Sequence, residues 1–224
     1  MTRKIDHHLD GATLMAFSAG CLGEALSAVA AAHLEMCGHC RDELAGLDLI
    51  GGALLDRMPA KADGSATVGA LPAMPGDVVL MAGRDDRARG RSQAGSGDGP
   101  RLFAARIGVD LGNVPWRRLG PGIWHYRVKL SPGVEGDLRL LKIAAGKRMP
   151  EHGHHGTELT LVLDGAYRDE KGEYRCGDIQ DVDGDDEHRP VADPQVGCIC
   201  IIASEQQVRY KGLVNRLLQP LVGI

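Results

Sequence analysis

Apolar positions recur every three to four residues from about residue 10 to residue 58, and in short alternating or continuous runs after residue 101. The first stretch reads as three helices. Asp10 is placed to cap a short helix bearing Leu14, Met15 and Phe17, which ends near Gly20. A second helix starts after Cys21, with Leu22, Ala25, Leu26, Val29, His33 and Met36 spaced for one face. Gly38 is expected to interrupt it. A third helix then carries Leu44, Leu47, Ile50, Leu54 and Leu55 until Pro59 stops it. Helices this short enclose a thin core, and domains of that size commonly lean on a metal or a partner.

The later runs are Ile123 to Val128, Asp137 to Ile143, Glu158 to Leu163 and Gly197 to Ile202, separated by Gly, Pro and Asp turns. Many short strands at close spacing predict a sandwich or barrel. Between the two halves the periodicity fades. Asp77 is placed to cap a short helix over Val78 to Met81, and Gly83 to Pro100 is Gly, Ser, Asp and Arg with almost no apolar residue, the composition of a flexible linker. A last apolar segment, Leu213 to Leu218, reads as a short helix packed outside the strands. The expected organisation is a small all-α domain over residues 1–82, a linker over 83–100 and an all-β domain over 101–224.

The 43% hydrophobic and 25% charged fractions are those of an ordinary globular protein. A net charge of −4 makes no whole-chain case for nucleic-acid binding. Charges at the N-terminus with no apolar run behind them predict no export signal, and no stretch is long and apolar enough for a membrane helix. The expected location is the cytoplasm. There the six cysteines are better placed for metal binding or redox chemistry than for structural disulfides.

Two clusters carry chemistry. In the first, His33, Cys37 and Cys40 form H-x3-C-x2-C, and positions i, i+4 and i+7 share one face of a helix. A tetrahedral Zn²⁺ needs a fourth donor. No Cys or His lies between residues 41 and 80, so the candidates are upstream: His7 or His8, one of the two then being solvated, with Cys21 discounted as lying three helical turns away. The bland alternative is a buried histidine beside two free thiols.

The second cluster is G-x5-H-x-H-x3-E-x6-G, running from Gly146 to Gly165. Residues two apart on a strand point the same way, so His152 and His154 are expected to aim together into a barrel, with Glu158 joining them and His155 pointing away. His188, after Gly177 and Gly184, is the fourth candidate. Three imidazoles and a carboxylate suit Zn²⁺ or another divalent transition metal. His125 has no such spacing and reads as packing or surface. Cys198 and Cys200 alternate on one strand, either as small core residues or as a redox pair.

The first cluster resembles the zinc-containing anti-sigma domain, in which a histidine shortly before helix 1 completes the site; that resemblance selects His8. The second matches the first cupin motif at every signature position and implies a double-stranded β-helix, jelly-roll-like. Its second motif is partial, since Asp183 stands near where that family often has a proline and the terminal asparagine is absent. The two motif sets in this order, with Trp116-Arg-Arg-Leu-Gly, Gly177-Asp-Ile and Cys198-Ile-Cys200, resemble the ChrR-type zinc anti-sigma factors over nearly the whole chain. That resemblance implies a regulator, not an enzyme. It implies that the zinc helices bind and inhibit a group IV (extracytoplasmic function type) sigma factor, and that the cupin receives an oxidative signal, singlet oxygen or peroxide. No direct nucleic-acid or membrane partner is expected. Residues 1–60 agree in charge: four Lys or Arg against eight Asp or Glu, suited to a basic partner surface. The rival reading is a cupin metalloenzyme of oxygenase or isomerase type with a zinc regulatory module. A DNA-binding zinc finger is disfavoured by the acidic balance.

Overall fold

The computed structural model describes residues 4–58, 111–149, 152–153, 156–184, 187–205 and 209–210. The expected linker, the helix over Val78 to Met81 and the segment Leu213 to Leu218 lie outside the described residues. Three helices come first: α1 (Gly11–Ser18), α2 (Glu24–Met36) and α3 (Gly38–Arg57). Eleven strands follow among the described residues: β1 (Arg117–Gly120), β2 (Ile123–Arg127), β3 (Asp137–Ile143), β4 (His152–Gly153), β5 (Glu158–Arg168), β6 (Glu173–Arg175), β7 (Ile179–Val182), β8 (Glu187–His188), β9 (Val191–Ala192), β10 (Cys198–Ser204) and β11 (Arg209–Tyr210). The fold class is as the sequence predicts, a three-helix region followed by an antiparallel cupin-like β domain.

Local chemistry sets the helix ends. The Asp10 carboxylate accepts the Thr13 N–H at 2.6 Å and caps α1. The break between α2 and α3 falls on Cys37, extended at φ −105°, ψ 110°, and Gly38 is the first residue of α3. His33, Cys37 and Cys40 therefore do not share a continuous helical face, as the spacing alone suggests. They sit on the last turn of one helix, the joint, and the first turn of the next.

Strands pair antiparallel in the order β1-β2-β3-β10-β5-β6, with β7 and β9 also on β5, and a second small sheet runs β11-β4-β8. The alternation of side chains gives the central strands two buried faces. Leu138 and Leu140 of β3, Leu159, Leu161 and Leu163 of β5, and Ile201 and Ala203 of β10 pack in one core with Leu26, Val29, Ala30 and Leu34 of α2. The opposite face, including Leu141, Ile143, Val162, Cys198 and Cys200, turns into the barrel. The thin helical core thus finds its partner inside the same chain: α2 lies on the cupin sheet. α3 is the exception. Only Cys40 of it is buried, and its apolar stripe continues outward into Leu49, Ile50, Leu54 and Leu55, each 60–76% exposed. Among the described residues no helix is long and apolar enough to cross a membrane.

Candidate metal centres and the joint between them

His8, His33, Cys37 and Cys40 converge, with one ligand atom from each lying within 4.8 Å of the others. Nδ1 of His8 is 3.2 Å from Sγ of Cys37, and Nε2 of His33 is 3.3 Å from Sγ of Cys40. Ordinary Zn–N and Zn–S bonds give a tetrahedron with edges of about 3.4–3.8 Å. The cluster is of that size, and two imidazoles with two thiols are a donor set that zinc takes. Burial tunes the donors. It lowers the His33 imidazole to about 4, against a raising contribution from the Gly177 carbonyl, and so holds the ring neutral as a ligand must be. Burial also pushes the Cys40 thiol up to about 12, with Cys37 adding to the rise. A thiol in that setting would release its proton to solvent on metal binding, the cation taking the thiolate. Cys21, exposed and turned to the Ala19 carbonyl, stands apart.

His7 is not the solvated partner of His8. Its ring packs on Tyr174 at a tilt of 34° with centroids 4.2 Å apart, and its Nε2 donates to the Glu173 carbonyl at 3.1 Å. The adjacent pair divides its work, one ring to the cluster and one to the cupin wall.

The β domain also contacts the His/Cys cluster directly. Nδ1 of His33 donates to the carbonyl of Gly177 at 3.0 Å, the outer contact that fixes tautomer and ring orientation in a metal-ligating histidine. Gly177 holds φ +93°, and a Cβ there would stand 3.0 Å from Ile5 and 3.4 Å from Met36, so a residue with no side chain is required. Asp178, fully buried, accepts the N–H groups of Asp6 at 2.8 Å and His7 at 3.4 Å on Oδ1, and that of Arg175 at 2.8 Å on Oδ2. Asp181 accepts the Asp10 N–H at 3.1 Å. The segment that delivers His8 is therefore held by cupin carboxylates.

Inside the barrel, Glu158 and His188, 2% and 5% exposed, line one cavity of about 50 Å³ with Thr160, Tyr167 and Gln180. The backbone of His152 pairs with His188 across β4 and β8. The side chain of His152, and all of His154, lie outside the described residues. Nδ1 of His188 donates to Asp169 Oδ2 at 3.1 Å, an outer contact of the kind that fixes the tautomer of a metal-ligating histidine. A buried carboxylate and an imidazole so held fit a divalent cation. Asp169 also accepts Gln180 Nε2 at 2.7 Å, and Gln180 accepts the Tyr167 hydroxyl at 2.8 Å and donates to that of Tyr174 at 3.2 Å. Tyr167 and Tyr174 are stacked at 4.9 Å. A continuous set of contacts thus runs from His188 through Asp169, Gln180 and Tyr174 to His7, the neighbour of His8. Spacing rules did not single out Asp169, Gln180 or Asp178, although Asp178 follows directly on the Gly177 of the partial second motif.

Cys198 and Cys200 share the inner face, each 3% exposed. Its hydrogen bond to Cys198 and its burial raise the Cys200 thiol well above its usual range. The packing reading fits the pair. His125 is half-buried on β2; burial, then Arg139 and Arg117, lower its pKa.

A four-donor cluster of imidazoles and thiols leaves no coordination position for a substrate. It is seated on an antiparallel cupin-like sheet, a four-donor helical module joined to a barrel. Comparison with known proteins makes the family specific. The ChrR cupin-like domain model matches residues 104–208. The anti-sigma-E factor ChrR of Cereibacter sphaeroides is 37% identical over 220 residues, 98% of this chain and 99% of that protein. The crystal structure of Rhodobacter sphaeroides SigE in complex with the anti-sigma ChrR matches with a TM-score of 0.67 at 38% identity, covering 90% of this chain and 99% of that one. A cupin protein from Ralstonia eutropha JMP134 matches at 22% identity over 47% of this chain and 71% of that one, with a TM-score of 0.40. The chain belongs to the ChrR family of anti-sigma factors, regulators rather than enzymes.

Proposed function

We propose that this chain is a cytoplasmic anti-sigma factor that binds and inhibits a group IV sigma factor through its zinc helices. In this reading residues 1–82 form the anti-sigma domain, 83–100 the linker and 101–224 the cupin. Zn²⁺ sits on His8, His33, Cys37 and Cys40, and Zn²⁺ or another divalent transition metal on His152, His154, Glu158 and His188. Sequence identity across the whole length to an anti-sigma-E factor carries the partner assignment. The exposed stripe Leu49, Ile50, Leu54 and Leu55 on α3 supports it, because large adjacent apolar side chains left in water mark a protein interface.

The cupin receives the oxidative signal, singlet oxygen or peroxide. Support comes from the hydrogen bond between His33 and Gly177: a zinc ligand is oriented by a cupin carbonyl, so a change in the cupin reaches the zinc centre without any long-range motion. Signal at the cupin metal loosens the corner around Gly177 and Asp178, the zinc helices lose their seat, and the sigma factor is released. Co-expression with a candidate group IV sigma factor tests this. The two proteins are expected to co-purify, and peroxide or a photosensitiser is expected to separate the wild-type pair but not a pair carrying Glu158→Gln. Failure to co-purify would remove the partner; equal release from both pairs would remove the cupin as sensor.

A further inference from the structure

β1 and β2 part before their ladder is complete. The pairing runs from Gly120 opposite Ile123 back to Arg117 opposite His125, and among the described residues it stops there. Two local features end it. Pro115, which the register would set opposite Arg127, has no N–H to give, and the Trp116 N–H turns back to the Val114 carbonyl at 2.8 Å. On its other side β2 stays paired, with the Val128 N–H donating to the Leu138 carbonyl at 2.8 Å. Antiparallel ladders alternate, so Val128 bonds inward to β3 and the N–H and C=O of Arg127 point outward. No main-chain bond from Arg127 crosses that edge among the described residues.

An open groove of about 920 Å³ lies along this edge. Arg117, Arg118, Arg127 and Lys129 line it, and no Asp or Glu does. Asp137 of β3, 3.1 Å from Nε of Arg127, offsets one of the four charges. The two faces of β2 differ. Side chains alternate along a strand, so His125 and Arg127 share a face with Arg117, while Tyr126, Val128 and Leu130 fall on the other and pack in the core with α2. Val134, 40% exposed, adds apolar surface to the groove. A strand added here extends both faces at once. Its residues beside Arg117 and Arg127 meet cations, and those between meet apolar side chains. The same charges turn away a second copy of this edge, which would set arginine against arginine.

We propose that this groove is a docking site for an extended peptide in which acidic and apolar residues alternate, added to β2 as a strand. Ser131 lines the groove and gives its N–H to Glu24 of α2 at 3.0 Å, so the occupant lies where the β domain meets the helices. The groove shares no lining residue with the cavity that holds Glu158 and His188.

Fluorescence anisotropy with the full-length chain tests it, using a labelled peptide of about six residues, the length of an ordinary strand, in which Glu and Val alternate. Saturable binding is expected, at least about tenfold tighter than for a Lys–Val copy. A copy N-methylated along its backbone, which cannot form the ladder, is expected to lose at least about tenfold as well. Arg117→Glu with Lys129→Glu is expected to weaken the Glu–Val peptide at least about tenfold, while Lys142→Glu, on β3 and outside the groove, leaves it within about twofold. If the charge reversal fails to fold, Arg117→Gln with Lys129→Gln takes its place with an expected loss of at least about fivefold. Absence of binding, equal binding of the Glu–Val and Lys–Val peptides, or equal binding by wild type and the groove variants overturns the proposal. So does equal binding of the N-methylated copy, since no strand is then added. A single-stranded oligothymidylate that binds more tightly than the peptide and is lost in the same variants also overturns it, the groove then being a nucleic-acid surface.

Discussion

Replacing Asp178 by alanine isolates the joint between the two halves. Its carboxylate accepts the N–H groups of Asp6 and His7, immediately ahead of the ligand His8, and it follows the carbonyl that orients His33. In the variant, the segment that presents His8 is no longer fixed before zinc arrives. Ordering a residue costs about 1–2 kcal/mol, so re-ordering two or three of them at the moment of binding costs several kcal/mol. The packing of His7 on Tyr174 survives and offsets part of this. A net penalty of about 1.4–2.8 kcal/mol remains, equivalent to about 10–100-fold in affinity, the range seen when an outer-shell partner of a metal ligand is removed. Competition with a chromophoric chelator reads this directly, the relevant zinc being the one lost in a Cys37→Ala, Cys40→Ala control. Asp178→Asn keeps one acceptor oxygen and should fall between wild type and Asp178→Ala. A variant with a lower melting temperature but unchanged zinc affinity would refute the reasoning and leave Asp178 a folding residue alone.

Three further outcomes follow from the geometry. Leu54→Glu with Leu55→Glu, both on the exposed stripe of α3, should weaken sigma factor binding at least about tenfold while shifting stability by no more than about 0.5 kcal/mol each; surface plasmon resonance and urea unfolding check the two halves of that statement. Leu161→Ala empties a fully buried position between α2 and the sheet and should cost about 2–5 kcal/mol by urea denaturation, with helical and β signals lost together. Burial and two arginines lower the pKa of His125 from 6.5, so the unfolded chain binds the extra proton first; its contribution to stability is full above that value and is lost as pH falls towards the folded value. His125→Gln should therefore flatten the loss of stability between about pH 7 and pH 5, measured as urea midpoints.

The helices were legible because their apolar spacing and the Asp10 cap are local signals, and the cupin because its glycines and ligands recur at fixed separations. The His33, Cys37 and Cys40 trio was legible in its membership but not in its geometry. Nothing in the spacing indicates that Cys37 leaves the helix, a consequence of turning two helices around one point. What no local pattern carries is the joint. Asp178 acts on residues 171 and 172 positions earlier in the chain, and His33 on a carbonyl 144 positions later. His7 and His8 are adjacent in sequence and yet serve different modules, the His7 ring lying on Tyr174 and the His8 ring on Cys37. The stripe on α3 reads as core from its periodicity; that it faces water depends on where α2 has been placed.

In the proposed function, zinc on His8, His33, Cys37 and Cys40 is the clamp that holds a sigma factor. The direct measurement is zinc per chain together with sigma factor retention, for wild type and for Cys37→Ala with Cys40→Ala, each full-length and co-expressed with the sigma factor. The variant is expected to lose one zinc per chain and the sigma factor with it. A variant that retains both, or that loses zinc and still holds its partner, would contradict that role.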